Sequence, residues 1–180
     1  MLHMVCLFRM LKVLLSQRWR PRLAVLETSV LRFRVWPNDL DMNIHMNNGR
    51  YFSIADIGRL DWWLRTGLWR AARAQGLAPV AGDSNARFSR AMHAFECYEL
   101  HSRLLGWNEK WLFAEHRFVQ GGRVTATVLV RYLFRSRDGH GAPAQVLALI
   151  GFTQPSPPLP AWVEGWHHAQ NQLTASLKSA

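Results

Sequence analysis

Residues 29–36 alternate: Leu31, Phe33 and Val35 are apolar, and Arg32 and Arg34 between them are charged. A two-residue period is that of a strand with one buried face. Pro37-Asn38-Asp39 closes the run, because proline cannot extend a ladder and Asn and Asp favour turns. The period then changes. From about residue 48 to 69, apolar side chains from Tyr51, Phe52 and Ile54 through Ile57 and Leu60 to Trp62, Trp63 and Leu64 cover more than one helical face. A helix so broadly apolar is expected to be buried on most sides. Asn47 or Asn48 can cap its start and Gly67 suits its end. Its expected exposed stripe carries Asp56 with Arg59 and Asp61 with Arg65, at ion-pair spacing.

Further strand-like runs follow at residues 86–91, 95–105, 110–120, 123–135 and 144–152. The cleanest is 123–135, where Val124, Ala126, Val128, Val130, Tyr132 and Phe134 alternate with Arg123, Thr125, Thr127 and Arg131. Gly106-Trp107-Asn108-Glu109, Gln120-Gly121-Gly122 and Asp138-Gly139-His140-Gly141 read as hairpin turns. Pro155-Ser156-Pro157-Pro158-Leu159-Pro160 is a stiff extended linker, and a last helix is expected over about 161–177. Strand, long buried helix, then antiparallel strands is an α+β order: one sheet wrapped around one apolar helix. The chain divides into a basic amphipathic segment (1–28), a central domain (29–154), and the linker with its helix (155–180).

Composition narrows the possibilities. The 180 residues suit one domain, and 49% hydrophobic with 19% charged residues is ordinary for a globular core. Nine Trp supply large rings for a core, a groove or a subunit contact. Lys and Arg total 22 against 12 acids, a net +10 that attracts polyanions such as nucleic acid, anionic lipid or the phosphates of coenzyme A. No zinc-finger spacing, RNP-type aromatic motif or Lys-rich tail occurs, so a nucleic-acid partner is not expected. Cys6 and Cys97 lie far apart, which fits reduced thiols in a cytoplasmic protein. No Cys/His cluster has metal-ligand spacing. The first fifteen residues are apolar but interrupted by Arg9 and Lys12, too short and too charged to span a bilayer. With Arg18, Arg20 and Arg22 behind them, they suit either a helix lying on an anionic membrane surface or one packed on the domain.

Asp39 and Asp41 flank a turn just before the buried helix. A helix start offers unpaired N–H groups and partial positive charge, which can stabilise a developing oxyanion. A nearby carboxylate can then attack a carbonyl or activate water against it. Gly49 lets a ligand approach the backbone closely. By spacing alone, Asp-x-Asp is ordinary turn chemistry. The run Asp39-x-Asp41 with His45-Met46-Asn47-Asn48-Gly49-Arg50-Tyr51 resembles the signature of the 4-hydroxybenzoyl-CoA thioesterase-like hotdog family. Residues 39–65 and 104–119 look closer still to the branch containing thioesterase superfamily member six.

The resemblance covers about residues 29–152. It implies a hotdog fold, a homodimer or tetramer with sites between subunits, and hydrolysis of an acyl-CoA thioester to free acid and CoA. Coenzyme A then enters as part of the substrate and no separate cofactor is implied. The catalytic carboxylate falls on Asp41, as base or nucleophile, with Asn48 and Gly49 at the helix start. Asn47 would hold water or the thioester carbonyl, and His45, Tyr51 and Asp56 are carried as substrate-side residues. His45 is read as a brace for the loop and Asp39 as a turn residue. Asp56 is also a candidate for the helix-borne acid of some hotdog enzymes, against an ordinary ion pair with Arg59. Arg87 and Arg90 head the candidate phosphate contacts, with Arg103, Arg131, Arg135 and Arg137 behind them. His116, among Leu112, Ala114 and Phe118 on one strand face, reads as a core or pocket histidine. The usual glycine before the histidine is Ile44 here, a residue that restricts the loop. That departure leaves a second reading open, a non-catalytic acyl-CoA or lipid-binding hotdog protein peripheral to a membrane through residues 1–25.

Overall fold

A computed structural model describes residues 4–137 and 139–178, with side chains from Leu7 onward. The chain opens with α1 (Met4–Ser16) and a short 3₁₀ turn, then β1 (Ser29–Arg34). The central elements are α2 (Asn48–Thr66), α3 (Leu68–Ala74), β2 (Ala78–Phe88), β3 (Cys97–Trp107), β4 (Leu112–Gln120) and β5 (Arg123–Arg135). A two-residue β6 (His140–Gly141), α4 (Pro143–Ala148) and α5 (Ala161–Lys178) complete it. The strands form one antiparallel sheet in the order β1-β3-β4-β5-β2, with β6 on the end of β5. Helix α2 packs against β1, β3, β4 and β5, and its Tyr51, Ile54, Ile57, Trp62 and Trp63 are buried in the main core. The expected α+β hotdog arrangement is therefore present.

The helix and the sheet approach most closely at Gly58. A Cβ there would lie 2.6 Å from Leu100 Cδ2 and would also meet the Ser102 hydroxyl, so only glycine lets the two elements pack. Gly67 ends α2 in the left-handed conformation at φ 82°, and α3 starts beyond it, so the single helix expected to residue 69 is two helices. On the opposite face of the sheet, Val163 of α5 joins Leu105, Trp111, Phe113 and Leu129 in a second apolar cluster. Arg131 is buried in that layer. It pairs with Asp83, donates to His167 Nδ1 and Asn171 Oδ1 at 2.8 Å each, and stacks 4.2 Å from the Trp111 ring. It is thus a structural bolt for α5 rather than a candidate phosphate contact.

Several expectations are corrected. Residues 144–152 contain a helix where a strand was expected: Pro143 opens α4 and is buried with Val146 and Leu147. The run read as 86–91 is the end of a longer strand, β2, whose residues are mostly exposed and therefore lack clean alternation. Strand β3 runs through Gly106 and Trp107, so the turn falls at 108–111, where Asn108 Oδ1 accepts from the amides of Lys110 and Trp111 at 3.0 and 2.7 Å. Asp61 is fully buried and not on an exposed stripe: the segment after α1 folds over it, and Arg20, Ser29 and Arg65 bond its carboxylate. Strand β5 has the expected bounds, and the Gln120-Gly121-Gly122 turn joins β4 to it. In the turn expected at 138–141, Asp138 lies outside the described residues, as does the side chain of Cys6.

Candidate active site

The loop between β1 and α2 folds back on itself. Leu40 and Met46 form an isolated antiparallel bridge, the Asp41 amide donates to His45 O at 3.0 Å, and the Ile44 amide donates to Asp41 O at 3.1 Å. Asp41 sits at the tip, with its side chain 23% exposed. Its Oδ1 accepts from the Asn43 amide at 2.9 Å, an Asx turn that fixes the carboxylate, and His45 Nδ1 stands 3.6 Å away. His45 is thus placed as a neighbour that can orient Asp41.

Asn47 caps α2, its Oδ1 accepting from the Gly49 amide at 2.9 Å, while its own amide donates to Asp39 O at 2.9 Å. The Gly49 N–H is therefore already occupied. At this helix start the Asn48 amide has no partner among the described residues and is left as a free donor. Asn48 and Gly49 are both exposed.

Asp39 differs from its expected role in the turn. It is 1% exposed and accepts from Arg9 Nη2 at 2.6 Å and Nη1 at 3.0 Å, and from the Trp36 amide at 2.9 Å. Arg50 Nε, itself on α2, stands 3.9 Å from the same carboxylate. Asp39 thereby ties α1, the end of β1 and the start of α2 into one unit beneath Asp41. Spacing gives no hint of this, because Arg9 lies thirty residues upstream.

Tyr51 is buried, its ring 5.0 Å from Phe88 and 4.8 Å from Phe118, and burial pushes its phenol up to about 12. The substrate role expected of it is thus replaced by a core role. Asp56 is exposed on α2 and paired with Arg59 at 3.0 Å, as its spacing suggests. Arg87, at the end of β2, and Arg90, just past it, are exposed, and the carbonyl of Met92, just beyond, accepts from the Met46 amide at 2.8 Å. That bond brings the two arginines' segment against the loop. Arg103 is engaged with Glu115 at 2.7 Å.

Sequence reasoning missed His93, whose Nδ1 stands 3.3 Å from Ile44 O and so joins the loop from the other side of the site. Its amide donates to Glu96 Oε2 at 2.7 Å, which holds the Glu96 carboxyl below its usual range. His116 is buried with Nδ1 2.8 Å from Ser102 Oγ, and burial lowers it to about 3, so it is a neutral core histidine. Among the described residues no group of three His, Cys, Asp or Glu could hold a metal ion.

Ile44 takes φ 60°, a left-handed conformation that a β-branched residue adopts only under strain. Glycine at this place would meet that backbone requirement without steric strain. The turn keeps its shape nonetheless, and the Ile44 side chain points outward, 70% exposed.

Residues 35–167 match the thioesterase-like superfamily. Protein THEM6 of Danio rerio is 38% identical over 109 residues, covering 59% of this chain and 54% of that protein. The thioesterase lcsJ of Purpureocillium lilacinum is 28% identical over 156 residues, 73% of this chain and 50% of that one. The chain thus spans about half the length of these relatives. Among solved structures, the BH1999 gentisyl-coenzyme A thioesterase superposes with a TM-score of 0.58 at 16% identity, over 69% of this chain and 100% of that one. The probable thioesterase YbaW of Escherichia coli gives 0.62 at 19%, over 67% and 95%.

Proposed function

The chain belongs to the thioesterase-like superfamily, and from that premise we propose that it hydrolyses an acyl-CoA thioester to the free acid and CoA, with Asp41 as base or nucleophile. The observation that carries this reading is the pairing of a half-open carboxylate, fixed by an Asx turn, with a capped helix start whose Asn48 amide has no partner among the described residues. As base, Asp41 takes a proton from water while the oxygen attacks the thioester carbonyl. The oxyanion that forms is stabilised at the positive end of α2. Its collapse breaks the C–S bond, and the proton returns from Asp41 to the departing thiolate. As nucleophile, the carboxylate instead forms an acyl anhydride with release of CoA, and water then cleaves it.

Ile44 does not argue against catalysis, because its exposed side chain leaves Asp41 half open. The exposed arginines Arg87 and Arg90 suit the phosphates of CoA. We further propose that a second copy completes the site: β2 is an eleven-residue edge strand with an exposed face beside it, and such an edge pairs readily with its own copy. Thiol release from a panel of short to long acyl-CoAs tests the activity, and Asp41→Asn tests the assignment. A panel without thiol release above background would end the hydrolase reading. Undiminished turnover in the variant would move the base elsewhere.

A further inference from the structure

We propose that the outer face of α1 seats on a bilayer surface carrying anionic phospholipid. A helix packed on a domain ordinarily turns its apolar stripe inward. Helix α1 does the reverse. From Leu7 onward its buried positions are Arg9 and Val13, and the stripe formed by Leu7, Met10, Leu11, Leu14 and Leu15 is exposed to solvent. Arg9 explains the inversion: its guanidinium is anchored on Asp39 and on Arg34 O, the latter at 2.7 Å, so the edge carrying Arg9 and Val13 docks and the leucine-rich stripe is displayed. An exposed apolar stripe of this extent marks an interaction surface.

Charge selects the partner. Helix α1 contains no acidic residue, and Lys12, Arg18 and Arg22 are exposed with no acidic partner among the described residues. Arg20 differs from them, being spent internally on Asp61. Trp19 is 71% exposed with the Arg18 guanidinium 4.0 Å above its ring, an aromatic with a basic neighbour of the kind found at membrane interfaces. A second copy on this face would set these cations against their own likeness, whereas an anionic lipid surface complements them. The apolar surface also continues toward the candidate site. Phe8 borders a cavity of about 1130 Å³ that Phe33, Trp36 and Tyr98 also line, and the exposed ring of Phe95 meets Trp36 at 6.3 Å. Among the described residues no helix is long and apolar enough to cross a bilayer, and the exposed stripe of α1 suits a helix lying in the interface.

Vesicle flotation of the full chain tests this, with phosphatidylcholine alone and with phosphatidylglycerol added. The expected result is binding to the anionic vesicles that weakens as salt rises, and little binding to the neutral ones. Leu11→Glu with Leu15→Glu should weaken it at least roughly 10-fold, because two exposed side chains lose their burial in lipid. Arg18→Glu with Arg22→Glu should weaken it at least roughly 25-fold. Circular dichroism checks that each double variant is folded; the arginine pair, beyond α1, carries the test if the leucine pair disturbs the helix. Binding indifferent to anionic lipid, or unchanged in both variants, overturns the proposal. So does light scattering that shows the leucine variant splitting a dimer in a protein that binds no vesicles. Hydrolysis of a short, soluble acyl-CoA is expected to be the same in all three proteins, so loss of flotation leaves the hydrolase reading standing, and absence of hydrolysis leaves the docking result standing.

Discussion

At the inner end of the loop Asp39 is sealed from water and takes hydrogen bonds from one guanidinium and one amide; at the outer end, two residues on, Asp41 takes a single amide bond and remains partly open. The same side chain on one turn is a fastening in the first place and a candidate reagent in the second. What separates them is the number of donors already committed. A carboxylate surrounded by fixed donors cannot accept a proton or attack a carbonyl without breaking the fold, while one held at a single oxygen keeps an edge for chemistry.

The contrast can be broken from either side. Asp39→Ala should cost about 3–5 kcal/mol of stability, because it strands the buried Arg9 guanidinium, and thermal unfolding reads the loss. A variant that melts like the parent would mean that the interior pairing contributes little. Asp41→Asn should do the opposite, leaving the melting temperature in place while kcat/KM for acyl-CoA falls at least roughly 10²-fold. His116 extends the comparison to a buried polar group unconnected with the loop. Its folded value is depressed to about 3 from 6.5, so only the unfolded chain takes up its proton as pH falls through that window. Stability is therefore full above about 6.5 and declines below it, by roughly 1.4 kcal/mol per pH unit from this one group. His116→Gln should flatten the decline without altering hydrolysis, as denaturant titrations at several pH values would show. Ile44→Gly is the smallest change. Relief of the left-handed strain, less the entropy that glycine adds to the unfolded chain, should stabilise by about 0.5–1 kcal/mol. A loss of stability would show that the entropy of the glycine chain outweighs the strain at this position.

Much of this architecture is legible in the sequence because period reports burial. The alternation in 123–135 marks β5 to its ends, and the all-round apolar run after Asn47 marks α2. Where burial is weak the signal fails: β2 is mostly exposed and carries Gly82, Asp83, Ser84 and Asn85, so most of it has no strand pattern. Where an apolar run is short the signal is ambiguous, and Val146-Leu147 within residues 144–152 suits a helix as well as a strand. The loop's sequence locates Asp41 and the cap at Asn47. It does not reveal which polar groups are interior, because their partners arrive from far along the chain. Arg9 reaches Asp39, Arg20 reaches Asp61, and His93 meets Ile44 across 49 residues. Tertiary placement, rather than local preference, decides those roles.

Arg131 bears on how this polypeptide can be shortened. The superfamily match ends at residue 167, inside α5, and a chain trimmed to that boundary would keep His167 but lose Asn171. A chain trimmed at the proline linker would lose both, and would leave a guanidinium between Trp111 and an uncovered apolar layer. An expression fragment cut at the proline linker would therefore be expected to aggregate, and a tag or fusion belongs beyond Lys178.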